Sequence, residues 1–132
     1  MPNPQSITPV LVYDDIQAGH DFLVRAFGFR PGRIDRDGDG HIVHAEVSVG
    51  DKIIWLHRAT AEHGLRSPRA EAQASGGLAI VVDDVDAHYQ HAGAAGARTD
   101  RPPIDQPYGR REYEARDLEG HRWWFGSLLG LS

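Results

Sequence analysis

Val12-Tyr13-Asp14-Asp15-Ile16 recurs 69 residues further on as Val81-Val82-Asp83-Asp84-Val85. In both copies the branched apolar residues end a strand pattern, and the second aspartate stands where a helix N-cap accepts from the first free amides. Trp55 and Trp124 keep the same offset at the far ends. The chain therefore reads as one unit written twice. A unit of this size cannot bury both faces of its own small sheet, so the two copies are expected to combine into one structure. Function is expected where the copies face each other.

Outward from the first copy, Ile7 to Val12 is a buried strand pattern. Asp15 caps a helix with Ile16, Leu23, Ala26 and Phe27 on one face, and Gly28 stops it. Phe29 to Asp35 is an edge strand, because Pro31 interrupts it. Asp37-Gly38-Asp39-Gly40 is a turn, and His41 to Val49 and Lys52 to His57 flank the Gly50-Asp51 hairpin signal. Module one, about residues 6–57, is thus βαβββ. Residues 58–75 have no clean period and read as a linker with room for a short helix.

Module two, about 76–128, repeats the plan. Leu78 to Val82 is a strand, Asp84 caps a helix through Val85, Tyr89 and Ala92, and Arg98 to Arg101 is a short strand. Arg101 to Gly109 is expected to be a loop, because Pro102, Pro103 and Pro107 remove ladder donors. Arg111 to Asp117 and His121 to Ser127 form the last hairpin around Leu118-Glu119-Gly120, with glycine at the left-handed position.

With 132 residues, residues 1–132 form a single domain of which the repeats are modules. The chain carries 14 Lys plus Arg against 19 Asp plus Glu, a net charge of −5. It has no basic cluster interleaved with aromatics, so no nucleic-acid partner is expected. No apolar run suits a membrane span, and the N-terminus lacks a basic flank and apolar core, so the expectation is a cytoplasmic protein without membrane contact. Cysteine is absent, which excludes disulfides and thiolate chemistry, whereas eight histidines keep metal binding in view.

Turn length fixes strand register, and register fixes faces. A two-residue Gly50-Asp51 loop pairs Glu46 with Trp55 and His44 with His57. Val43, Ala45, Val47, Ile54 and Leu56 then form the core face, and His44, Glu46, Ser48, Trp55 and His57 the other. A three-residue loop in the last hairpin pairs Glu114 with Trp124 and Arg116 with Arg122. Tyr113, Ala115, Trp123 and Phe125 take the core, leaving Glu112, Glu114, Arg116, Arg122 and Trp124 opposite. Each hairpin sets a glutamate across from a tryptophan on its non-core face, and the two read as walls of one cup. Exposed indoles beside carboxylates provide stacking and cation–π surfaces.

The paired strand-Asp-Asp openings, the βαβββ duplication and the closing Asp117-Leu118-Glu119-Gly120-His121 turn resemble the vicinal oxygen chelate superfamily, which includes glyoxalase I, bleomycin-resistance proteins and extradiol dioxygenases. The resemblance covers about residues 6–128. It implies an α+β fold in which the modules form a curled eight-stranded mixed sheet around a central cup, with a small-molecule ligand in the concavity and a homodimer as the assembly. Metal-dependent members carry ligands at positions that map by spacing to Thr8, Trp55, Gly77 and Trp124. None of these is an imidazole or carboxylate donor, and indole nitrogen only donates, so no metal is expected there.

Two function classes follow. The first is a metal-free protein without a cofactor that sequesters a small aromatic, cationic molecule, lined by Thr8, His44, Glu46, Ser48, Trp55, His57, Glu112, Glu114, Arg116 and Trp124. The second is an enzyme, a lyase, isomerase or dioxygenase, using one divalent metal such as Zn displaced onto His44, Glu46 and His57, or acid–base chemistry by Glu114 or Glu46. A purely structural interaction domain is the third. His20, His88 and His91 fall on helices, where solvent exposure is the ordinary expectation.

Overall fold

The computed structural model describes residues 2–70 and 76–130. Module one comprises β1 (Val10–Tyr13), α1 (Ile16–Phe27), β2 (Arg30–Arg36), β3 (Ile42–Val49) and β4 (Lys52–Arg58). Module two comprises β5 (Gly77–Val81), α2 (Val85–Ala94), β6 (Arg98–Gln106), β7 (Arg110–Arg116) and β8 (Arg122–Leu128). The fold is α+β and built of two βαβββ modules. Among the described residues the eight strands form two four-stranded mixed sheets, ordered β1-β4-β3-β2 and β5-β8-β7-β6, with no closed barrel.

Both helices start as the repeat predicts. The Asp15 carboxylate accepts from the Ala18 amide and the Asp84 carboxylate from the Ala87 amide, each at 3.0 Å. Gly28 ends α1 at φ 77°, the left-handed backbone that glycine adopts without a Cβ clash. The hairpin registers also hold: Glu46 lies opposite Trp55 and His44 opposite His57, while Glu114 lies opposite Trp124 and Arg116 opposite Arg122.

Three expectations need correction. β6 runs through Pro102 and Pro103 instead of ending at Arg101. It is an edge strand paired only with β7, and its register shifts between Thr99 and Arg101 and between Arg101 and Ile104, so neither proline owes the ladder a donor. β1 begins at Val10, not Ile7; Pro9 has no N–H to give and contributes only its carbonyl, to the Trp55 amide at 2.9 Å. The linker keeps to its reading, with two short 3-10 turns, Ala61–His63 and Pro68–Ala70, and its last part lies outside the described residues. His20 is buried, not exposed, because its Nε2 accepts from the Gly32 amide at 3.3 Å where β2 shifts register.

One core serves both modules. Ala45, Val47, Ile54 and Leu56 from the first sheet join Tyr113, Ala115, Trp123 and Phe125 from the second in a single buried cluster with Phe22, Leu23, Phe27 and Phe29. The Phe27 ring meets Trp123 at 5.6 Å and Phe125 at 4.7 Å. His88 and His91 of α2 bond through Nε2 to the carbonyls of Phe27 and Arg25 at the C-terminal end of α1, at 2.8 and 2.7 Å. These bonds satisfy carbonyls that the helix itself leaves free.

The last hairpin locks the modules together. The buried Glu119 carboxylate accepts from the amides of Asp14 and Asp15 at 2.7 and 2.8 Å and from the Ser67 hydroxyl, and pairs with Arg69 at 3.1 Å. Asp117 accepts from the Tyr13 hydroxyl, the Trp123 indole and the amides of Glu119 and His121. His121 bonds through Nε2 to the Val12 carbonyl at 2.8 Å.

Candidate functional site

Both sheets turn their Trp123 and Leu56 sides to a common core, so Trp55 and Trp124 lie on the faces turned from it. On the first wall, Trp55 is 41% exposed, a large apolar area for a sheet face. The His44 ring stands 5.7 Å from it at 70°, and His44 Nε2 lies 3.7 Å from a Glu46 oxygen. Ser48 shares this face two residues along β3. Thr8 precedes β1 outside the sheet.

The His44, Glu46 and His57 donors are brought onto one face, but His57 turns Nδ1 to the Arg58 carbonyl at 2.7 Å. Among the described residues, only Asp37, Asp39 and His41 place three such ligand atoms within 4.8 Å of one another, in an exposed turn.

The second wall is more enclosed. Arg101, Ile104, Gln106, Tyr108, Glu112, Glu114 and Trp124 border a recess of about 150 Å³. Glu112 accepts from the Tyr108 hydroxyl, a bond that raises the phenol above its ordinary pKa, and lies 3.9 Å from Arg110 Nε. Glu114 has no hydrogen-bond or ion-pair partner among the described residues and faces the recess. Arg122 stands over the Trp124 ring at 5.8 Å, so this indole already holds a cation from its own strand. Arg116 lies apart from the recess, because its guanidinium turns to Asp100 at 3.1 Å.

Gly77 explains why Trp124 can lie as it does. A Cβ at Gly77 would come within 2.8 Å of the Trp124 ring, so the indole occupies the room that a side chain at 77 would need. Two of the four positions that would carry metal ligands are thus spent on one packing contact. Thr8, Trp55, Gly77 and Trp124 do not fit a divalent ion.

Arg101, Ile104, Gln106 and Tyr108 were absent from the sequence-based site because their stretch read as a proline loop. The alternation of Ile104 and Gln106 is the available signal, since every second residue of a strand faces one way; Tyr108 follows in the turn after β6, where alternation gives no guide.

Comparison with known proteins agrees with this geometry. Residues 6–125 match the family model of the Glyoxalase/Bleomycin resistance protein/Dioxygenase superfamily. The chain belongs to that superfamily. TioX from Micromonospora sp. ML1 is 34% identical, with 96% of this chain and 100% of TioX covered and a TM-score of 0.73. Maize glyoxalase I, as a V278E mutant, superposes with a TM-score of 0.75 at 18% identity over 93% of this chain and 44% of its own, a likeness of fold. The uncharacterised protein Mb0911c of Mycobacterium bovis is 31% identical over 125 residues, 92% of this chain and 82% of its own length.

Proposed function

We propose that this superfamily member binds a small aromatic, cationic molecule without a metal, in a hollow completed by a second copy of the chain. The observation that carries the reading is Trp55, an indole left 41% exposed on a sheet face with His44 beside it and Glu46 opposite. A face of indole and carboxylate attracts a flat cation both through the ring quadrupole and through charge. The Thr8, Trp55, Gly77 and Trp124 set favours binding without a metal ion.

Exposed apolar residues favour the second copy. Val10, Ile53 and Trp55 crowd one outer face, and Val81, Ile104 and Leu128 the other. The strands β1 and β5 each have a partner on one side only. Two such faces from different copies would form a two-walled cup.

Tryptophan emission titrated with a quaternary aryl ammonium probe tests the reading. Saturable quenching in the wild type and at least a tenfold weaker response in Trp55→Leu are expected. Unchanged emission across a panel of aryl cations would refute binding, and a monomer by light scattering at micromolar concentration would refute the shared hollow.

A further inference from the structure

A second cavity, of about 350 Å³, lies between the linker, the start of β6 and the last hairpin, and shares no lining residue with the Trp124 recess. Three arginines from three elements border it: Arg69 within the second linker turn, Arg98 at the start of β6 and Arg116 at the end of β7. Leu118, 51% exposed, supplies an apolar patch of its lining.

Hydrogen-bond capacity is unbalanced here. Each oxygen of Asp117 accepts two donors, Oδ1 from the Glu119 and His121 amides and Oδ2 from Tyr13 and Trp123. Each oxygen of Glu119 is equally engaged, Oε1 by the Asp14 amide and Ser67, and Oε2 by the Asp15 amide and Arg69. The acids on the lining therefore have no acceptor capacity to spare. Donors remain. Arg98 uses Nε alone, on Asp100 at 2.9 Å, and Arg116 uses Nε on Asp100 and Nη1 on the Gly120 carbonyl, which leaves Nη2 without a partner among the described residues. Arg116 is only 6% exposed as a residue, but Nη2 is not sealed from solvent, so a bound oxyanion would replace water there.

A group that only accepts, carries negative charge and offers several oxygens in different directions suits three guanidiniums converging from separate elements. We propose that this cavity binds the phosphate group of a small phosphorylated molecule, with Arg69, Arg98 and Arg116 around the oxyanion and Leu118 against the carbon body. The site is independent of the Trp55 and Trp124 faces.

Calorimetric titration of the full chain at fixed ionic strength, with glycerol phosphate and with inorganic phosphate against a chloride control, tests the assignment. Arg98 is the variant of choice because its side chain is 72% exposed and no core contact depends on it. Saturable binding of the ester, tighter than that of inorganic phosphate and weakened at least tenfold in Arg98→Gln, is expected. Arg33→Gln, which removes an exposed arginine from the other module, should leave the affinity unchanged. Three results would overturn the proposal: no saturable heat with the ester, binding of inorganic phosphate alone, or equal losses in the Arg98 and Arg33 variants.

Discussion

The two modules close their last hairpins differently, and the difference makes their junction one-sided. The β7–β8 loop sends Glu119 onto the amides of Asp14 and Asp15, so module two grips the start of α1. The corresponding β3–β4 turn is one residue shorter, and its Asp51 is exposed and paired only with its neighbour Lys52. A groove of about 720 Å³ opens instead between Gly50 and the matching residues Asp83 and Asp84. A duplicated fold thus needs one buried clasp, and the other copy of the same turn is released from structural duty.

The outer walls differ in the same way. Trp124 packs over Gly77 and beneath Arg122, whereas Trp55 meets a histidine and solvent. The neighbouring Trp123 is wholly buried between the modules. Trp123→Ala should cost about 3–5 kcal/mol, the range for truncating a large core aromatic. Trp55→Ala should cost far less, measured by denaturant midpoint, and equal losses would break the distinction between core and wall.

Removing the clasp comes next in size. Glu119→Ala leaves two amides and the Ser67 hydroxyl without their acceptor, which should cost about 3 kcal/mol, while Asp51→Ala should leave the midpoint where it was. Similar effects of the two changes would show that the hairpins carry the junction equally.

A pH series sharpens the same contrast. Burial alone would raise the Glu119 carboxyl, but Ser67, the Asp14 and Asp15 amides and Arg69 outweigh it and hold the pKa below its ordinary 4.5. The stabilisation is therefore complete above pH 4.5 and is lost as pH falls through the lowered folded value. The acid decline in unfolding midpoint should be shallower in Glu119→Gln than in the wild type.

The smallest effect belongs to the helix pair. Burial, with the nearby His91 adding to it, lowers His88 below its ordinary 6.5 despite the bond to the Phe27 carbonyl. Folded His88 favours the neutral ring, so its contribution is full above pH 6.5 and declines as pH falls through the lowered folded value. A midpoint that stays flat across that interval in both wild type and His88→Gln would contradict it.

Much of this was legible before any coordinates. The Gly50-Asp51 and Leu118-Glu119-Gly120 loops fixed both registers, because a loop of known length leaves one pairing that keeps Trp123, Phe125, Ile54 and Leu56 on one face. β6 was not legible past Arg101, since proline composition speaks against a strand while an edge with register shifts tolerates it. Nor was the burial of His20, which depends on where β2 loses register. In the candidate site, Trp55, Glu46 and His44 came together as their alternation required, but Arg116 left the wall for Asp100, a partner separated from it by 16 residues of sequence.

By itself the sequence determined the duplicated βαβββ plan, the helix caps, the hairpin registers and the loss of metal donors, all of which depend on residues near in the chain or on repeat spacing. Only the tertiary structure decided that both sheets share one core, with the tryptophan walls on the faces turned from it. Alternation along a strand says which residues lie together, not what lies beyond the face; that is set by long-range packing of Phe27, Trp123 and Phe125, to which local pattern is blind.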